Sequence, residues 1–145
     1  MIDRLMLPGL ARGDGVAFAL LRLYLGGFLV WGVWDNIVSA ERIPEFETFL
    51  TGLNCPMPAI AAPMSVWAQL LIGLLLIPGL FTRIAGLLLA VNFAVAIWLL
   101  SGLQAPGEAL ARELFGPMMC VLAGLVFATH GGGRLSADTV VFDRR

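Results

Sequence analysis

The sequence has little charge, no lysine and a single histidine. Charged residues make up 13% of its 145 residues, whereas hydrophobic residues make up 59%. A soluble domain carries about 25% charged residues, so this chain cannot cover a compact surface with groups that face water. The apolar excess indicates contact with a lipid bilayer. The net charge of −1 leaves no basic face for phosphates, which argues against nucleic acid as a partner.

Cysteine is also scarce. Cys55 and Cys120 are far apart, and no CxxC pair occurs, which excludes a zinc knuckle and a thioredoxin-type dithiol. One histidine is too few for a histidine-based metal site. Residues 1–14 contain four charged side chains and lack a short apolar core before a small-residue cleavage site. We therefore expect no cleaved signal peptide.

What the sequence does contain is four long apolar runs. A membrane-spanning helix needs about 20 apolar residues, and these runs are too uniformly apolar for the helices of a soluble bundle. They predict one all-α domain over residues 1–145, an antiparallel bundle of four transmembrane helices. The predicted spans are residues 16–38, 63–81, 83–103 and 113–130. Between the first two, Glu41 to Leu50 has the pattern of a short amphipathic helix that lies on the membrane.

The arginines predict the orientation of the bundle. Six of them lie in the N-terminal segment, the 78–83 turn and the C-terminal tail, and two lie in the other connections. Because cytoplasmic loops are enriched in Arg and Lys, both termini are predicted to be cytoplasmic, in a bacterial inner membrane. The four tryptophans would then share the outer membrane level, as interfacial aromatic residues do.

Arg22 and Asn92 are polar residues within the apolar runs, and Arg22 has two interpretations. Arg22 either extends its long side chain to the inner headgroups or faces the bundle as a buried cation. Asn92 most often bonds a neighbouring helix at such a position, and it is the polar group closest to the middle of the membrane. At the inner level the sequence also places four residues, of which interface anchoring explains most: Arg83, His130, Arg134 and Asp138.

The outer level contains the elements of a ring-binding site. A quinone headgroup needs aromatic or apolar walls and a few polar groups for its oxygens. Five residues could form a pocket for it, namely Trp31, Trp34, Asp35, Trp67 and Gln69. In this hypothesis Gln69 bonds a ring oxygen and Asp35 exchanges protons with water. The alternative is a plain aromatic belt with polar helix ends.

Small residues recur at four-residue spacing in the third and fourth spans. Such stripes allow close packing of helices in lipid, so we expect both to face other helices. They are Gly86, Ala90 and Ala94 in the third span, and Gly116, Cys120, Gly124 and Ala128 in the fourth. An alternative for the sulfur-containing residues is a Cu(I) site, formed by Cys55, Met57, Met64, Met118, Met119 and Cys120, although Met and Cys more often fill gaps in a core.

Three segments, residues 21–28, 73–85 and 131–138, together resemble the DoxX family of small four-helix membrane proteins. The Gly-Leu-Phe-Thr-Arg turn and the Gly-Arg-Leu-Ser-x-Asp tail carry most of the resemblance. The family often has a Lys near the end of the first helix, where this chain has Asp35-Asn36, and a Glu in the second, where it has Gln69. The resemblance implies a redox-linked inner-membrane protein.

These observations lead to three hypotheses about function. The first is a membrane subunit or partner, non-catalytic or co-catalytic rather than an independent enzyme, that serves a quinone-linked oxidoreductase or a redox or stress-detoxification system. It would have other membrane subunits as partners and quinone as its only cofactor. The second is a small transport or copper-handling protein. The third is a structural anchor within a larger membrane complex.

The predicted orientation can be tested by cysteine labelling of intact cells. A membrane-impermeant thiol reagent should modify the connection that contains Cys55 from the outside. An Arg145→Cys variant that lacks Cys55 should react only after permeabilisation, because its tail is predicted to be cytoplasmic. Labelling of Arg145→Cys in intact cells would contradict the orientation.

Overall fold

A computed structural model describes residues 14–103 and 106–142. Within these ranges the chain forms six helices, α1 (Asp14–Val38), α2 (Arg42–Gly52), α3 (Pro58–Leu76), α4 (Thr82–Leu100), α5 (Gly107–His130) and α6 (Ala137–Phe142). Four of them, α1, α3, α4 and α5, are long and apolar enough to cross a membrane. The predicted all-helical fold with four spans, and a short helix between the first two, is confirmed.

Several of the spanning helices begin or end at residues that differ from the limits of the apolar runs. α3 begins with Pro58 at its first position, where a missing N–H costs nothing, and it continues through Pro63. It ends at Leu76, just before Pro78, which cannot continue the hydrogen-bond ladder. α5 begins at Gly107, so its first turns carry charged residues that precede the apolar run.

The spans pack as two antiparallel pairs. α1 packs along α3, α4 packs most extensively along α5, and contacts between α3 and α4 join the two pairs. The core between them is formed by large apolar side chains, Leu25, Leu29, Ile72, Leu76, Leu89 and Phe127. The amphipathic helix α2 packs on α3 and more lightly on α1. Its Leu50 is buried in a second cluster with Ala62 and Leu99.

Each pair has a point at which two glycines bring the backbones together. A Cβ added to Gly26 in α1 would lie 2.9 Å from the carbonyl oxygen of Gly73 in α3, and one added to Gly73 would lie 2.8 Å from that of Gly26. In the other pair, a Cβ on Gly124 would lie 2.7 Å from the carbonyl oxygen of Gly86. Van der Waals packing at these glycines thus holds each pair together, because the hydrophobic effect does not act between helices in lipid.

The two predicted small-residue stripes are packed over only part of their length. Gly86 and Ala90 are buried in α4, and Cys120 and Gly124 are buried in α5. Ala94 and Gly116, by contrast, are exposed. The close approach of α4 and α5 is therefore confined to the end of the bundle that carries the C-terminal segment.

The C-terminal segment returns to the turn between α3 and α4. The backbone N–H of Ala137 donates to the carbonyl oxygen of Pro78 at 3.0 Å, and that of Asp138 donates to the carbonyl oxygen of Gly79 at 3.0 Å. We call this end of the bundle, formed by residues 78–83 and 130–142, the tail end. The opposite end, where α2 lies, is the α2 end.

Gly124→Leu should destabilise the bundle, because the new side chain would meet the backbone of Gly86 and the Cβ of Ala90. We expect a loss of about 1–3 kcal/mol in the free energy of unfolding and a lower melting temperature in detergent. Gly116→Leu in the same helix is the matched control, since a Cβ there has no heavy atom within 4 Å. Equal melting temperatures for the two variants would mean that this crossing contributes nothing to stability.

Candidate functional sites at the two ends of the bundle

Arg22 is a buried cation at the tail end. Its side chain is 2% exposed, and its Nη2 donates to the carbonyl oxygen of Leu135 at 2.6 Å. Within the described part of the chain, Nε and Nη1 have no hydrogen-bond partner. Arg22 therefore faces the interior of the bundle, which is the second of the two interpretations that the sequence allowed.

The turn between α3 and α4 is shaped around this arginine. Gly79 has a φ of 73°, a conformation that costs glycine little. A Cβ at Gly79 would collide with the Arg22 guanidinium. Glycine is therefore required at this position by its backbone conformation and by the buried cation beside it.

Asp138 and Arg83 satisfy backbone groups at the ends of two spanning helices. Oδ1 and Oδ2 of Asp138 accept hydrogen bonds from the N–H groups of Phe81 at 2.7 Å and Thr82 at 2.9 Å, so a carboxylate from the tail caps the N-terminus of α4. Arg83 Nη1 donates to the carbonyl oxygens of Ala128 at 3.3 Å and Thr129 at 2.8 Å. A carboxylate and a cation thus lie where the dipoles of α4 and α5 favour them.

The inner-level residues singled out in the sequence lie around one cavity. It has a volume of about 580 Å³, and its wall includes Arg83, His130, Arg134 and Asp138. Glycines 131–133, Thr82 and Thr139 complete the polar part of the wall. Thr82 did not stand out in the sequence, because a threonine at a helix start is usually read as a cap. Here its hydroxyl is fully buried and has no partner among the described residues.

At the α2 end, three polar side chains form a chain of hydrogen bonds between α3 and α4. Gln69 Nε2 donates to Ser65 Oγ at 3.1 Å, and Ser65 Oγ donates to Asn92 Oδ1 at 3.2 Å. Asn92 therefore bonds a neighbouring helix, as its place in the apolar run predicted. Ser65 was missed in the sequence, although its spacing of four residues from Gln69 places both on one helix face.

A polar cavity of about 390 Å³ opens beside Gln69, between α1, α2 and α3. Asn36, Arg42 and Glu45 contribute its other polar groups. Arg42 Nη1 and Glu45 Oε2 form an exposed ion pair at 3.2 Å. We call this cavity, which lies against the amphipathic helix α2, the polar cavity.

A second, apolar cavity of about 480 Å³ lies between α2, α3 and α4. Its wall consists of apolar side chains except for Ser65 and Asn92. Phe46 lines both this cavity and the polar one, so the two cavities approach each other at α2. The Gln69–Ser65–Asn92 chain links them through α3.

The tryptophans predicted to wall a ring site are not brought to these cavities. Trp31, Trp34 and Trp67 are 76%, 54% and 53% exposed, and Trp98 is 63% exposed. None of them lines either cavity at the α2 end, nor does the exposed Asp35. Of the five residues proposed for that pocket, the structure thus brings only Gln69 to a cavity.

The sulfur-containing residues are also dispersed. Cys120 is buried in the main core, whereas Cys55 packs against the cluster around Leu50. Four methionines are exposed, namely Met57, Met64, Met118 and Met119. In residues 14–103 and 106–142, no three His, Cys, Asp or Glu side chains come close enough together to hold a metal ion.

The architecture defines a helical membrane protein with four spans and a polar site at each end of the bundle. The DoxX family model matches residues 17–102, which is more than half of the chain, and the chain belongs to the DoxX family. The matched range contains the first three spans and both cavities of the α2 end, while the C-terminal tail lies beyond it. Searches among curated proteins and among solved structures gave no match.

Asp138→Ala should destabilise the tail end, because it leaves the N–H groups of Phe81 and Thr82 without their acceptor. Loss of a helix cap costs about 0.5–2 kcal/mol, so we expect a lower melting temperature in detergent. Asp35→Ala, which removes an exposed carboxylate at the other end, is the control. A melting temperature of Asp138→Ala no lower than that of the control would show that the cap is dispensable.

Proposed function

We propose that this DoxX protein is a membrane subunit that binds the ring of a lipid-soluble quinone at the α2 end and serves a quinone-linked oxidoreductase there. The apolar cavity between α2, α3 and α4 carries the proposal. Its volume of about 480 Å³ lies within the range of about 300–1,000 Å³ that is typical of small-molecule sites. An apolar wall with a few polar groups is also typical of them.

Asn92 is the proposed donor to the ring. Because Ser65 Oγ donates to Asn92 Oδ1, the amide nitrogen of Asn92 is left to donate into the cavity that it lines. A quinone oxygen is an acceptor and so complements this N–H. Gln69 in turn donates to Ser65, which keeps the serine proton directed at Asn92 and fixes the amide in place.

The polar cavity beside Gln69 is the proposed source of protons. Reduction of a quinone to a quinol takes up two electrons, which the partner enzyme supplies, and two protons from water. Glu45 lines this cavity, whereas Asp35 is exposed and lines neither cavity. We therefore assign the proton-exchanging role to Glu45 instead of Asp35, and membrane anchoring to the exposed tryptophans.

In this proposal the α2 end faces outward and the tail end faces the cytoplasm of a bacterial cell. The uneven distribution of arginines supports that orientation. The oxidoreductase partner would then engage the α2 end. There the exposed charged side of α2 borders the polar cavity.

The proposal predicts that the purified protein binds a short-chain benzoquinone in mild detergent, measured by isothermal titration calorimetry. Asn92→Leu should weaken binding about tenfold, since it removes a buried hydrogen bond. Asn36→Leu is the matched control, because it makes the same substitution at a residue of the polar cavity. If a partner enzyme co-purifies, Asn92→Leu should also lower its quinone-reducing activity while the complex stays intact.

Two results would contradict the proposal. Absence of saturable quinone binding by the wild-type protein would remove its basis. Weaker binding by Asn36→Leu, with Asn92→Leu unchanged, would move the ring to the polar cavity and reject the role of Asn92.

A further inference from the structure

The tail end carries more positive charge than its described carboxylate neutralises, because Arg83 and Arg134 share the cavity wall with Asp138. The one ion pair among the described residues joins Arg42 to Glu45 at the other end of the bundle. Arg83 donates to backbone carbonyls, and the guanidinium of Arg134 has no hydrogen-bond partner in the described part of the chain. Among the described residues, Asp138 is the single carboxylate in the cavity wall, and both of its oxygens accept hydrogen bonds from backbone N–H groups.

A buried donor without an acceptor among the described residues lines the same cavity. Thr82 is fully buried and lines the cavity, and its hydroxyl has no partner among the described residues. A Cβ added to Gly132 would lie 2.8 Å from that hydroxyl, so it faces the glycine loop. Buried polar groups in native proteins are normally satisfied, and an anion bound in the cavity would supply an acceptor for this hydroxyl.

The apolar part of the cavity wall faces the surroundings of the bundle. Phe81, Ile84 and Phe142 line the cavity and are 47%, 57% and 54% exposed. In a membrane protein, such side chains at the end of a span contact the beginning of the acyl chains. The cavity therefore combines two arginines, a buried donor without a described partner and an apolar edge beside lipid.

We infer that the tail-end cavity binds the phosphate group of an anionic phospholipid. Arg83 and Arg134 supply the charge, since the planar guanidinium group suits phosphate oxygens. The glycine loop 131–133 leaves room for the headgroup beside them, because side chains are absent there. Phe81 and Phe142 contact the attached acyl chain. Free phosphate has the same anionic chemistry but would not use this apolar edge.

Lipid binding to delipidated protein in mild detergent tests the inference. Native mass spectrometry should detect one phosphatidylglycerol bound more tightly than phosphatidylcholine. Arg134→Gln should weaken binding about tenfold, and its melting temperature without lipid should stay unchanged because its guanidinium makes no hydrogen bond or ion pair with a described residue. Arg112→Gln is the matched control, since it removes an exposed arginine of α5 at the other end. Inorganic phosphate is then tested alone and as a competitor.

Each outcome decides the question. Tight phosphatidylglycerol binding that Arg134→Gln weakens and Arg112→Gln does not, with little competition from inorganic phosphate, supports the lipid site. Binding of inorganic phosphate without any preference for phosphatidylglycerol supports a phosphate site and overturns the lipid as its occupant. Equal binding of both lipids without phosphate binding, or equal effects of the two variants, overturns the inference.

Discussion

The burial of Arg22 is the constraint on which the tail end depends. A cation inside a membrane protein must find partners within the protein, and Arg22 finds one in the backbone of the returning tail, at Leu135. The return of the tail brings Asp138 to the N-terminus of α4. Gly79 leaves space for the guanidinium in the turn. One arginine in α1 therefore couples the first span, the turn between α3 and α4, and the C-terminal segment.

The two ends of the bundle differ in how their helices are packed. Gly86 and Gly124 hold α4 against α5 near the tail end, whereas Ala94 and Gly116, farther along the same two helices, are exposed. Toward the α2 end, the amphipathic helix packs on α3, and cavities open on both sides of Gln69 and Ser65. The space at that end thus lies where α2 packs on the spanning helices, since residues of α2 and α3 line both cavities.

The fold could be predicted from the sequence because length and hydropathy suffice to identify a span in lipid. The ends of the spans were less predictable. Pro63 reads as a helix boundary, yet it lies inside α3. Charged residues near the start of α5 read as a connection, although they form its first turns. A helix can continue out of the hydrocarbon region, so the end of an apolar run and the end of a helix need not coincide.

The sites were only partly predictable, because the position of a residue in an apolar run indicates its depth in the membrane more directly than the side of the helix on which it lies. Leu25, Leu29 and Val33 are the buried stripe of α1, and Trp31 lies between two of them in sequence, hence on the opposite side of the helix. The membrane level of Trp31 alone does not show which side of the helix this residue occupies. Contacts across long separations were also invisible, as for Asp138 and Phe81, which are 57 residues apart.

The two ends of the bundle suit different kinds of ligand because their side chains differ in charge. At the α2 end, Gln69 stands where the family often has Glu, and its partners Ser65 and Asn92 are neutral as well. A neutral chain of hydrogen bonds beside an apolar cavity favours an uncharged ring, because no buried charge is left for an ion to balance. At the tail end, Arg83 and Arg134 line the cavity, and Asp138 is the one carboxylate that lines it among the described residues. This excess of positive charge in the wall favours an anion there.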